Sequence, residues 1–259
     1  MNELIELDLV GMGFALGLML LAMGLSAWQR LGLAWNLAVA TARTIIQLLV
    51  VGYLLETVFA LRNPWLVLSV IAVMTGIATV VARNRISQKI PQILPIVGGA
   101  MLLGTAFTLA YVNLLVLRLV PWYEPQYVIP LAGILLGNAM NAASIAGERF
   151  VNTLNNSQLD IETHLSLGAT PRQATVLYRQ EAIKAGLIPT LNSMMVVGIV
   201  TLPGIITGQI LSGVSPLNAA LYQMLIMFIL AIATLITSIA LIQGIDRQFF
   251  TAAAQFRKF

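Results

Sequence analysis

Apolar runs long enough to cross a bilayer follow one another from Leu9 to Ile242, and one long polar stretch, residues 148–184, breaks the series. A spanning helix needs about 20 mostly apolar residues to cross a hydrocarbon core of about 30 Å. Inside that core a backbone group without a partner costs several kcal/mol, so lipid-facing loops and open sheet edges are excluded. The chain is therefore restricted to an all-α bundle of spanning helices. Charged residues make up 9% of the 259 and hydrophobic ones 59%, whereas a soluble domain carries roughly a quarter charged. An integral membrane protein follows.

About seven transmembrane helices are expected, at 9–27, 44–61, 64–82, 93–115, 126–147, 186–210 and 217–242. Residues 31–43 either extend the second span or lie flat at the interface, with Trp28 and Trp35 as anchors. Short loops carrying Pro64, Pro121 with Pro125, and Ser215-Pro216 separate neighbours, and nothing resembles a linker, so 1–259 reads as one membrane domain. The acidic start Met1-Asn2-Glu3-Leu4-Ile5-Glu6-Leu7-Asp8 lacks the positive charge of a cleavable signal peptide, so the first run is expected to stay as a span.

Basic residues orient the bundle. With the N-terminus outside, every one of the 14 Lys and Arg except Arg62 and Arg118 falls on the cytoplasmic side. An odd number of spans then places the C-terminus and the polar stretch 148–184 in the cytoplasm. The net charge of +4 thus marks a membrane face, and no nucleic-acid groove is expected. With no cysteine in the sequence, disulfides, thiolate metal sites and iron–sulfur clusters are excluded.

The polar stretch reads as a bent pair of short helices. Ser157 is placed to cap the first, with Asp160 three residues on, and Gly168 to end it. Thr170 is placed to cap the second, with Pro171 at its first position and Gln173 closing the reciprocal cap. The segment Glu162-Thr163-His164-Leu165-Ser166-Leu167-Gly168-Ala169-Thr170-Pro171-Arg172 resembles the coupling loop of ATP-binding-cassette (ABC) permeases, in which a short helix docks on a cytosolic ATPase. Glu162 and Gly168 have the spacing of that loop, while Tyr178-Arg179-Gln180 stands where a Leu-Pro is usual. The resemblance assigns the coupling contact to Glu162, His164, Leu165, Gly168 and Arg172. An ordinary helical loop is the alternative.

Two further segments, 130–149 (PLAGILLGNAMNAASIAGER) and 197–223 (VGIVTLPGIITGQILSGVSPLNAALYQ), are similar to FetB-type, YbbM-like iron-export permeases, the family of the plant aluminium-tolerance membrane subunits. The resemblance covers most of the chain from the second span onward. It implies a permease of the bacterial inner membrane that exports iron or another metal ion. Such a permease works as two copies with two cytosolic ATPase subunits, which use the ATP and magnesium. Plant relatives point instead to an organic solute such as a nucleotide sugar. The residues agree that the fuel lies elsewhere: a P-loop needs a lysine after glycine, and Lys89, Lys184 and Lys258 do not follow one. No cofactor is expected on this chain, and no enzymatic activity of its own.

The run Thr201-Leu202-Pro203-Gly204-Ile205-Ile206-Thr207-Gly208-Gln209 interrupts the sixth span. Pro203 has no N–H to give, and its ring presses on the preceding turn. Pro203 and Gly204 are therefore expected to form either a hinge on the transport path or a static kink. The hydroxyls of Thr201 and Thr207 are placed to satisfy the freed backbone groups. Glycines four apart (Gly13 and Gly17, Gly133 and Gly137, Gly204 and Gly208) suggest close helix packing.

Polar groups at depth mark a path, since each needs a partner away from lipid. Gln47, Asn138, Asn141 and Gln209 are the candidates; the alternative for Gln47, Asn138 and Asn141 is hydrogen bonding between helices. Glu56 is expected near the outer mouth, attracting cations; it is about 20 Å along the helix from Arg43, too far to pair with it. His164 is the one histidine, and no His/Cys/Asp/Glu cluster at ligand spacing defines a metal site. An ion-driven secondary carrier is a rival reading, but it would want a carboxylate deep in a span, and none is found.

Overall fold

The computed structural model describes residues 8–251 and 253–259. The acidic start, residues 1–7, lies outside them. Among the described residues there are ten α-helices and no strand, only the isolated bridges Val197 to Thr201 and Phe250 to Phe256. Six of the helices are long and apolar enough to cross a membrane, and the chain is a polytopic all-α membrane protein. It divides into two compact units, residues 1–62 and 63–259.

The first unit is a pair of helices, α1 (Leu9–Trp28) and α2 (Ala34–Leu61). Asp8 caps α1, its carboxylate accepting from the Gly11 N–H at 2.7 Å. The turn between them uses positive φ at Arg30 (54°) and Gly32 (70°). Residues 34–43 belong to the same helix as the second span, as the first of the two alternatives for 31–43 expects. No proline or cap intervenes to stop the helical ladder before Arg62, whose φ of 43° ends it. At 28 residues α2 is about 42 Å long, more than a hydrocarbon core requires.

The second unit is built from α3 (Pro64–Ile86), α4 (Ile93–Tyr111), α5 (Pro125–Asn156), α8 (Val176–Val196) and α10 (Pro216–Gln248). A π-helical turn, Val112–Leu117, extends α4. The central pair is α5 and α10, each packed against α4 and α8. Apolar burial drives little here, since lipid is as apolar as leucine; close contact of small residues replaces it. A Cβ on Gly186 of α8 would lie 2.9 Å from the Ala142 carbonyl oxygen and 3.0 Å from both Ala146 Cβ and Ser238 Oγ. Three helices meet at that glycine. Gly104 brings α4 equally close to α10, 2.8 Å from the Ala233 carbonyl by the same measure.

Of the glycines singled out by spacing, Gly133 does approach another helix, a Cβ there lying 3.2 Å from Met74 Cε of α3. Nothing lies within 4 Å of a Cβ built on Gly13, Gly17, Gly137, Gly204 or Gly208. Spacing identifies a smooth helix face, but only the tertiary arrangement decides which face another helix covers.

The sixth expected span, 186–210, is not one helix. It consists of α8, a non-helical segment 197–203, and the short helix α9 (Gly204–Leu211). Gly198 at φ 81° turns the chain out of the helix, and Pro203 then starts α9 as its N-cap. The interruption is a complete break in the helix, wider than the local kink expected at Pro203 and Gly204.

Candidate functional site: the basic end and the membrane break

The polar hook is shorter than the stretch 148–184, because α5 runs on to Asn156 and α8 begins at Val176. Between them lie α6 (Gln158–Ser166) and α7 (Pro171–Ala174). Ser157 sits at the N-cap of α6, but its hydroxyl makes no capping bond; its backbone is turned at φ −105°, ψ 25°, away from capping geometry. Gly168, at φ 90°, ends α6: the Ala169 N–H donates to the His164 carbonyl and the Gly168 N–H to that of Leu165, both at 3.0 Å. At α7 the expected capping box is present. The Thr170 N–H donates to Gln173 Oε1 at 2.8 Å, and the Gln173 N–H donates to Thr170 Oγ1 at 3.3 Å.

Ile161 pins the hook, fully buried in the same apolar cluster as Phe150, Leu154 and Phe249. Leu165 packs against this cluster from the side, so it faces the core more than the surface. Glu162, His164, Gly168 and Arg172 are exposed, and Gln158 Nε2 holds Glu162 Oε1 at 2.8 Å. Two exposed leucines flank them, Leu159 at 76% and Leu167 at 80%. The chain's last residues fold onto the same end: Phe249 stacks on Phe256 and meets Phe259 edge-on at 5.2 Å, and the Phe259 N–H donates to Asn155 Oδ1.

Behind the hook a charged contact ties α8 to α10. Arg179 Nη1 approaches Asp246 Oδ2 at 3.8 Å, with side-chain exposures of 17% and 7%. Arg179 Nη2 also donates to the Arg172 carbonyl at 2.8 Å, so one guanidinium reaches the hook and the longest helix together. Arg149 and Glu181, at 3.9 Å, are both largely exposed, and such pairs contribute little. Spacing did not reveal the Arg179–Asp246 pair. The signal available was a lone aspartate closing an otherwise apolar run.

The expected path residues are divided between the units. Gln47 and Glu56 belong to α2 of the first unit, both exposed. Asn138, Asn141 and Gln209 belong to the second. Asn138 spends its amide N–H on the Ile134 carbonyl at 2.9 Å within its own helix. Asn141 is exposed, and Gln209 has a buried Oε1 with no partner among the described residues. Most buried hydroxyls in α3, α4, α5 and α10 are satisfied in the same local way, as Thr79 is by Thr75 and Thr108 by Gly104. Thr105, Thr237 and Ser238 are not, and neither is Gln223 of α10, which spacing missed: it is 4% exposed, with Oε1 unpartnered. It lines a cavity of about 280 Å³ with Met194, Gly198, Met224 and Met227, directly beneath the membrane break. The rule that singled out Gln47, a lone amide in an apolar run, would also have found Gln223. Thr207 Oγ1 returns a hydrogen bond to the Pro203 carbonyl at 3.2 Å as expected, while no side-chain bond is made by Thr201 among the described residues.

No solved structure matches this chain. Among curated proteins, a UPF0014 membrane protein of Synechocystis is 48% identical over 98% of this chain and 98% of its own length. Protein ALUMINUM SENSITIVE 3 of Arabidopsis thaliana is 36% identical over 93% of this chain and 87% of its own. The "Probable iron export permease protein FetB" of Escherichia coli is 35% identical over 88% of this chain and 87% of its own. The resemblance carried by residues 130–149 and 197–223 therefore extends to nearly the whole sequence. Residues 9–250 match one family along their full run, and the chain belongs to the uncharacterised protein family UPF0014.

Proposed function

We propose that this multi-pass membrane protein is the permease subunit of an ABC transporter, exporting iron or another metal ion and driven by a separate cytosolic ATPase. The observation that carries this reading is the construction of the hook. The spanning helix α5 enters it at Asn156 and the bundle helix α8 leaves it at Val176, with Ile161 buried and Thr170 boxed by Gln173, so no slack separates the hook from the bundle. Force applied at Glu162, His164, Gly168 and Arg172 reaches α5 and α8 directly, with Leu165 bracing the contact from the core side. The exposed Leu159 and Leu167 give the docking face an apolar part. Metal export is supported by the name of the Escherichia coli relative.

In this reading the hook and the C-terminus lie in the cytoplasm, the protein sits in the bacterial inner membrane, and two copies pair with two ATPases that use ATP and magnesium. Of the candidate path residues, Gln209, Asn138 and Asn141 belong to the second unit, and Gln47 and Glu56 to the first. A second cargo class is favoured by one observation. The cavity of about 280 Å³ under the break is lined by methionines, Phe228 and one amide, surroundings that suit a solute with an apolar body better than a hydrated ion.

Reconstitution with candidate ATPases tests the proposal. The expected result is ATP hydrolysis stimulated by one solute class, and reduced in Asn141→Ala. Transport by the chain without any ATPase, or a thiol at position 167 labelled only from the periplasm, overturns it.

A further inference from the structure

A polar notch opens at the basic end, behind the hook. Its volume is about 180 Å³, and it is lined by Arg172 of α7, Arg179 of α8, and Gln243, Asp246 and Arg247 of α10. All of these residues belong to the second unit. Three guanidinium groups thus face one carboxylate, an excess of two positive charges.

Arginines on a surface are ordinarily satisfied by water, but two atoms of this notch are shut away from it. Asp246 is 5% exposed, and its Oδ1 is buried with no partner among the described residues. Arg179 Nε is buried and unpartnered in the same way. The 3.8 Å approach between these side chains engages Nη1 and Oδ2, and so leaves both atoms unsatisfied. Arg172 and Arg247 form no ion pair among the described residues. Buried polar atoms normally find a partner, so an orphaned donor and an orphaned acceptor on two adjoining side chains call for a ligand that satisfies both.

Their chemistry specifies that ligand. Guanidinium forks pair with the oxygens of carboxylates and phosphates. Asp246 Oδ1 can only accept, and an ionised carboxylate has no hydrogen to give it. Hydrogen phosphate has both parts, oxyanions for the arginines and a P–OH for the aspartate. So does a lipid phosphodiester with a glycerol hydroxyl next to it. Either carries a charge of about −1 to −2, within the local excess. A water molecule fills about 30 Å³ and pockets for whole drug-sized ligands start at about 300 Å³, so the notch suits one phosphate group. Depth allows both sources. Gln243 and Arg247 lie about 40 and 47 Å along α10 from Pro216, and a bilayer with its headgroups is about 40–45 Å thick.

We propose that Arg172, Arg179, Arg247 and Asp246 form a binding site for a phosphate group with a hydroxyl beside it, joining α7, α8 and α10 at the basic end. Bound there, the anion ties the hook to the end of α10 more firmly than the 3.8 Å contact does alone.

Two probes test the site on the full chain in nanodiscs. Inorganic phosphate is titrated calorimetrically into phosphatidylcholine discs at constant ionic strength, with sulfate as the oxyanion that lacks a hydroxyl. Retention of phosphatidylglycerol against phosphatidylcholine is read by native mass spectrometry from mixed discs. The variant Arg172→Gln/Arg247→Gln changes two exposed side chains outside any ion pair, which spares the fold. The expected result is saturable phosphate binding, with sulfate about tenfold weaker and phosphate affinity about tenfold lower in that variant. Asp246→Asn should close the gap between phosphate and sulfate, because its amide N–H donates to either. Phosphatidylglycerol retained by the unaltered chain and not by the arginine variant assigns the site to a headgroup, and phosphate binding without lipid preference assigns it to a soluble anion. Sulfate bound as tightly as phosphate, an arginine variant that binds like the unaltered chain, or neither probe bound overturns the proposal.

Discussion

Arg179 holds Asp246 at 3.8 Å from the first turns of α8, and its other terminal nitrogen donates to the Arg172 carbonyl in the hook. The contact therefore joins the hook to the end of α10 through one side chain. Removing one member of a buried pair leaves the other charge uncompensated, which costs more than the pair itself contributes. Asp246→Asn and Arg179→Met are each expected to destabilise the protein by about 2 kcal/mol, moderated by the partial exposure of Arg179. The double variant Arg179→Met/Asp246→Leu should recover part of that loss. Thermal unfolding of all three in detergent checks the ordering, and a double variant weaker than either single one would contradict it.

Gly186 is expected to be, with Gly104, among the least replaceable glycines in the second unit. A methyl there would press on Ala142, Ala146 and Ser238 at about 3 Å. Gly186→Ala should cost about 1–3 kcal/mol through overpacking. Gly137→Ala, with nothing within 4 Å, should instead be neutral or slightly stabilising in its helix. Paired unfolding curves decide the matter.

Gly168→Arg separates folding from coupling. The site has open space around it, but φ 90° is unfavourable for any side chain, at about 1 kcal/mol. The variant should therefore still insert and fold, while an arginine on the docking face removes ATPase association. A normal pull-down of the ATPase would refute the contact.

Ile161→Ala addresses the anchor beneath the hook. Truncating a fully buried isoleucine costs about 2–5 kcal/mol. The loss should appear locally, as faster amide exchange across 157–175 with little change in α10. Protection unchanged in the hook would show that Ile161 is not what holds it.

The hook was legible in the sequence because its signals are local. Thr170, Pro171, Gln173 and Gly168 each act within one turn, and the structure places each in the role its chemistry predicts. The membrane class was equally legible from run lengths. The break at 197–203 was only half legible: Pro203 shows where a helix cannot continue, but whether it resumes at once depends on Gly198 taking a positive φ five residues earlier. Gln223 was overlooked although the rule applied to Gln47 covers it, while Asp246 was not seen, since its partner comes from a distant segment. The packing glycines were missed for the same reason, because Gly186 and Gly104 are defined by what approaches them.

Gly186 also lies midway along α8, ten residues from Val176 and ten from Val196. A helix pinched at its centre by two neighbours behaves as a see-saw. Tilting it about that point displaces its two ends by equal distances in opposite directions, each arm being about 15 Å. An inward pull on the hook side would then arrive as an outward swing on the far side.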